Sequence, residues 1–86
     1  MSETKIKLTT PESIDGVKKS EVGLRAPKVK DLKAVQGLDD FEAEVKMIQI
    51  LSGLAPTDLD NFSLVNFSLL QEGLKNFIPS SSQMKS

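Results

Sequence analysis

Neither cysteine nor histidine occurs among the 86 residues, tryptophan and tyrosine are missing too, and four phenylalanines supply every aromatic ring. Without thiol or imidazole there is no thiolate nucleophile, no imidazole base, no disulfide and no ordinary zinc ligand set. Acid–base chemistry would fall to carboxylates and lysines alone, so the expectation is a non-enzymatic protein with no cofactor and no metal. Long apolar runs are also lacking. The uncharged stretch Asn61–Gln71 falls far short of the roughly 20 apolar residues of a membrane span. No basic segment followed by an apolar one opens the chain as a secretory signal would, and the expected location is the cytoplasm.

What is present suits one small soluble domain. Hydrophobic residues make up 38% and charged residues 27%, near ordinary globular values. A chain of this length buries only about 60–65% of its unfolded surface, so stability should be modest. The net charge of −1 conceals an asymmetry: residues 1–35 carry eight Lys/Arg against five Asp/Glu, whereas residues 36–78 carry two against seven. The two halves attract each other or face different partners.

Ile6, Leu8 and Thr10 alternate with Lys7 and Thr9, the period-two pattern of a half-buried strand over about Thr4–Thr10. Pro11 cannot donate to a ladder and should mark the strand's end or a bulge. Asp15-Gly16 between Ile14 and Val17 is a strong hairpin signal, because a type I′ turn needs positive φ at both central residues. A second strand then runs through Val22 and Leu24 to Arg25. A plain two-residue turn would pair Ile6 with Arg25 and Leu8 with Gly23, turning Ile6 and Leu8 away from Val22 and Leu24. A one-residue slip reverses a strand's faces, so an extra residue should be absorbed within Thr10–Ser20, beside Pro11 or in Lys18-Lys19-Ser20.

Pro27 biases Ala26 away from helix and ends the strand. Val29, Leu32 and Val35 then follow helical spacing for about eight residues from Lys28, with Gly37 as a stop. Asp39, with Glu42 three residues on, caps a helix over about Asp40–Ser52, and Gly53 closes it. Phe41, Val45, Ile48 and Leu51 form one face of that helix, and Ala43, Met47 and Ile50 an adjoining one. The combined apolar arc is wider than a helix covered on one side requires. Thr57–Asp60 after Pro56 reads as one capped turn, and Ser63 caps a last helix to about Phe77. There Leu64, Phe67, Leu70, Leu74, Phe77 and Ile78 share a side, with Val65 and Leu69 opposite. The predicted fold is α+β, an N-terminal β-hairpin packed on three to four short α-helices. It occupies residues 1–78 as a single domain, and 79–86 form a polar tail expected to be disordered.

The candidate sites are weak as chemistry. Asp39, Asp40, Glu42 and Glu44 could be imagined as a metal cluster, but acids in a first turn are favoured by the helix macrodipole. Lys18, Lys19, Arg25, Lys28, Lys30 and Lys33 could neutralise phosphates, yet Glu21 and Asp31 dilute them and no aromatics interleave. Nucleic acid is thus the lesser reading. The wide apolar arc weighs most. Either the central helix is sandwiched in the core, or part of the arc stays exposed for a partner helix or a second copy of the chain. The residues expected to bind a partner are Met47, Ile50, Leu54, Val65 and Leu69.

Taken in order, Ile6-Lys7-Leu8 and a proline, Asp15-Gly16, Leu24 to Leu32, Glu44 through Leu51-Ser52-Gly53-Leu54-Ala55-Pro56-Thr57-Asp58-Leu59-Asp60, and Phe67 with Leu70-Gln71 resemble the small tail assembly chaperones of Mu-like, contractile-tailed phages and prophages. The likeness runs from Ile6 to Ile78. It implies a chaperone that binds the tape measure protein, with a longer, frameshifted form of the chain as a second potential partner. It attaches no catalytic role to the Leu24–Leu32 stretch. A tape measure protein is a long, helical, partly apolar chain without a partner until the tube polymerises around it. An acidic helical face could cover such stripes and keep them in solution. The alternatives are a small nucleic-acid-binding or regulatory protein and a minor virion component.

Overall fold

Ile6 and Val22 face each other across the hairpin, as their burial in one core requires. The computed structural model describes residues 3–77. Strands β1 (Thr4–Ile14) and β2 (Val17–Leu24) form a two-stranded antiparallel sheet. Four helices follow: α1 (Val29–Ala34), α2 (Asp40–Ser52), α3 (Pro56–Asp60) and α4 (Leu64–Lys75). The α+β architecture is the one the sequence predicts. Ile78, and the tail 79–86 expected to be disordered, lie outside the described residues.

The hairpin tip follows its sequence, with Asp15 at φ 55° and Gly16 at φ 81°. Near the tip Ile14 pairs with Val17 and Glu12 with Lys19; near the base Lys7 pairs with Glu21, Ile6 with Val22 and Thr4 with Leu24. Between Lys7 and Glu12 stand four residues, Leu8–Pro11, where β2 offers only Ser20 between Glu21 and Lys19. The register therefore shifts by three rather than by the single residue predicted. Both numbers are odd, so the faces reverse as they must for Ile6, Leu8, Val22 and Leu24 to share one side. The bulge lies beside Pro11, on β1, and begins earlier than Thr10. Contrary to the shorter strand predicted, β1 resumes after it and continues to Ile14.

Helix α1 is six residues long, shorter than predicted, and only Val35 beyond it packs on the core. Helix α2 has the predicted bounds, with Asp39 Oδ1 accepting from the Glu42 N–H at 2.8 Å and Gly53 left-handed at φ 75°. Ser63 Oγ caps α4 by accepting from the Asn66 N–H. The core joins Leu8, Val22 and Leu24 of the hairpin to Ile48 and Leu51 of α2, to Leu59 and Phe62, and to Leu70 and Leu74 of α4. Helix α4 lies along β1 and α2 against β2. The Arg25 N–H donates to Leu51 O at 3.1 Å, tying the hairpin's exit to the last turn of α2. Gly73 is buried where a β-carbon would stand 2.6 Å from Ile6 Cδ1, so α4 lies close to the sheet and a larger residue there would have to displace the Ile6 side chain.

Candidate interaction surface

Two polar devices fix how the helices stand on the hairpin. The first spans the bulge. Asn66, wholly buried in α4, accepts from the Thr9 N–H at 2.8 Å through Oδ1, while its Nδ2 donates to Thr10 O at 3.0 Å and to Glu12 Oε2 at 2.6 Å. A side-chain amide thus substitutes for the partner strand that the bulge forfeits. Glu12 Oε2 also accepts from the Ser63 N–H at 2.9 Å, which is the chief reason its carboxyl is held below the ordinary range.

The second device is the turn around Pro27. Arg25 grips Asp31 with two parallel bonds, Nη1 to Oδ2 at 2.9 Å and Nη2 to Oδ1 at 3.0 Å. The Lys28 N–H adds a third at 2.8 Å. Hydrogen bonding by the guanidinium, then by this amide, pulls the buried Asp31 carboxyl down to about 2. Arg25 is therefore occupied, and the basic set loses its only guanidinium to an internal clamp. Lys7 stands opposite Glu21 and Lys19 opposite Glu12, so the hairpin lysines are interleaved with acids. No group of three or more metal-ligating side chains converges among the described residues, and no described helix is long and apolar enough to cross a membrane.

The five residues expected to bind a partner divide. Met47 (3% exposed) and Leu54 (7%) belong to the core, Ile50 packs half-buried against it, and Leu69 is half-buried. Only Val65, at 60%, is open to a partner. The wide arc of α2 is thus largely sandwiched, because β2 covers one side and α4 and α1 contact the helix elsewhere. Apolar side chains are exposed on the hairpin at Val17 and on α1 at Val29 and Leu32, and a further group lies at the N-terminal ends of α2 and α4. Phe41 is 63% and Leu64 81% exposed, with Leu38 open beside them. Phe41 stands edge-on to Phe67, ring centroids 6.2 Å apart. Phe41, Leu64 and Phe67, with Val45 and Phe62, line a shallow trough of about 200 Å³ bordered by Asp60.

Compared with known protein families, residues 5–79 match the one described as phage tail assembly chaperone proteins, E, or 41 or 14. The chain belongs to this family. No curated protein and no solved structure matches it. Seen in the fold, the stretches that resemble the tail assembly chaperones are architectural. Arg25, Pro27 and Asp31 build the clamp, Ser52-Gly53-Leu54 closes α2, and Phe67 and Leu70 are core. Sequence reasoning missed Asn66, whose partners lie more than 50 positions away. It also placed Leu64 and Phe41 on core faces.

Proposed function

We propose that this tail assembly chaperone is a non-enzymatic protein of a Mu-like, contractile-tailed phage or prophage that binds the tape measure protein. It keeps that client in solution in the host cytoplasm until tube subunits polymerise around it. The observation that carries the reading is the open apolar surface of α2 and α4, Phe41, Leu64 and Val65, on the half of the chain with excess negative charge. Apolar stripes of an unassembled helical client would be covered there, while the carboxylates keep the pair soluble. Of the five residues expected to bind a partner, Val65 supplies open surface and Leu69, one turn further along α4, a half-buried flank; Met47, Ile50 and Leu54 serve the core and not the contact. Contact through a few side chains gives moderate affinity, as a chaperone that must leave requires. A longer, frameshifted form of the same chain, and a further copy of it, are the other partners of this reading.

Size-exclusion chromatography after co-expression tests the pairing, together with inspection of purified particles. The chaperone and the tape measure protein should co-elute, and the chaperone should be missing from finished virions. Its presence in virions without a soluble complex would make it a structural component instead. Retention on nucleic acid that falls steeply with salt would favour the regulatory alternative.

A further inference from the structure

Three of the four phenylalanines, Phe41, Phe62 and Phe67, line the one trough between the N-terminal ends of α2 and α4. A chain this poor in aromatics has gathered three of its rings at one place, one exposed over two buried. Phe67 and Phe62 are buried and Phe41 is held edge-on against Phe67, so the exposed ring is oriented before any partner arrives. Rigid aromatic anchors of this kind dominate the energetics of protein interfaces. A second hollow shares Phe41 and Val45 and continues along α2 past Lys46 to Gln49. From Phe41 to Gln49 the helix rises about 12 Å, a little over two turns, which is the length of one apolar stripe on a short helix.

The border of this trough is acidic. Asp39 and Asp40 adjoin Leu38 and Phe41 in sequence, and Glu42 and Asp60 line the two hollows, against Lys46 alone. Arg25–Asp31 is the one ion pair among the described residues, so these carboxylates carry charge that no internal cation neutralises. A second copy docking by the same face would bring the same carboxylates against them across a two-fold axis.

We propose that the trough docks an amphipathic helix whose apolar stripe is flanked by lysine or arginine. Identifying that helix as a segment of the tape measure protein rests on the chaperone reading above; the trough's preference for its chemistry does not. The leucines or phenylalanines of the stripe seat between Phe41 and Leu64, and the flanking cations meet Glu42 and Asp60.

Two synthetic peptides of about 18 residues with the same leucine stripe at helical spacing, one flanked by lysines and one by glutamates, provide the probe. Binding is followed by calorimetry and by backbone amide shifts of the full chain. The lysine-flanked peptide should bind at least about tenfold more tightly than its counterpart and shift amides of α2 and α4 near the trough. Phe41→Ser should weaken it about tenfold or more, Asp60→Lys should reduce the preference between peptides, and Val29→Ser, exposed elsewhere, should change neither. Phe41 is mostly open to solvent, so its variant should stay folded and melt only a few degrees below the wild type for the lost edge-on contact with Phe67.

Equal binding by wild type and Phe41→Ser, no binding of the lysine-flanked peptide, or shifts confined to the hairpin would overturn the assignment. So would a wild-type dimer that Phe41→Ser dissociates, which would give the trough to a second copy. Co-expression with the tape measure protein separates the two proposals. If the peptides behave as expected and the client stays insoluble, the chaperone reading fails and the trough stands. Should wild type and Phe41→Ser rescue the client equally, the chaperone reading stands and the trough loses its role.

Discussion

Replacing Asn66 with alanine removes the side chain that closes the bulge of β1 and leaves the Thr9 N–H and the Thr10 carbonyl without their partner. Each neutral hydrogen bond of this kind is worth about 1 kcal/mol, and the bond to the Glu12 carboxylate about 1.5–3 kcal/mol. Thr9 and Thr10 are themselves exposed, so water recovers part of the loss and the net cost settles at about 2–4 kcal/mol. A domain of this size has only about 5–10 kcal/mol in total, so the variant should melt about 10 °C or more below the wild type. Thermal and urea unfolding followed by far-ultraviolet circular dichroism measures it. The control is Asn61→Ala, whose exposed amide donates only to Thr57 O at 2.8 Å and should cost no more than about 0.5 kcal/mol. Asn66→Asp sharpens the test, because a second carboxylate would face Glu12 Oε2 and the loss at neutral pH should ease on acidification. If Asn66→Ala unfolds alongside Asn61→Ala, the bulge does not depend on the amide and the reasoning fails.

The Arg25–Asp31 clamp makes a pH-dependent contribution. Asp31 has a folded pKa of about 2, below the ordinary 3.8, so its stabilisation is complete above about pH 4 and is lost as pH falls toward 2. The urea midpoints of wild type and Asp31→Asn should therefore differ at neutral pH and approach each other near pH 2.5; a constant gap would contradict the clamp. Gly73→Val should cost about 1–3 kcal/mol by forcing its side chain onto Ile6 and Leu24, whereas Gly73→Ala gains helix propensity that offsets a displaced Ile6 methyl; calorimetric melting distinguishes them. Met47→Ala should destabilise by about 2–5 kcal/mol as a core truncation, with Val65→Ser within about 0.5 kcal/mol, so comparable losses would mean that Val65 is not the open position of the pair.

Where chemistry is local, the fold is legible in the sequence. Asp15-Gly16 specifies the turn, Asp39 and Gly53 bound α2 to the residue, and Ser63 starts α4. That the hairpin must absorb an odd slip follows from its alternation alone. The size of the slip does not, because the amide that accommodates three extra residues sits on α4, at the far end of the chain. Asp31 reads as one more surface charge until Pro27 folds it back under Arg25; its place at the third position of a helix started by Lys28 was the available signal. Periodicity assigns Phe41 and Leu64 to the core sides of their helices. It gives direction about an axis, not whether a neighbour reaches along that axis far enough to cover a first turn, and here none does. Conversely, Met47 on the second apolar face of α2 is core and Ile50 packs against it, because β2, α4 and α1 all contact the helix.

Binding of the tape measure protein by this chaperone, as proposed, is measured by co-expressing the two and determining the fraction of the client that stays in the supernatant. Wild type should raise this fraction and travel with the client on a column. An equally insoluble client with and without the protein, while the protein itself remains folded, would contradict it.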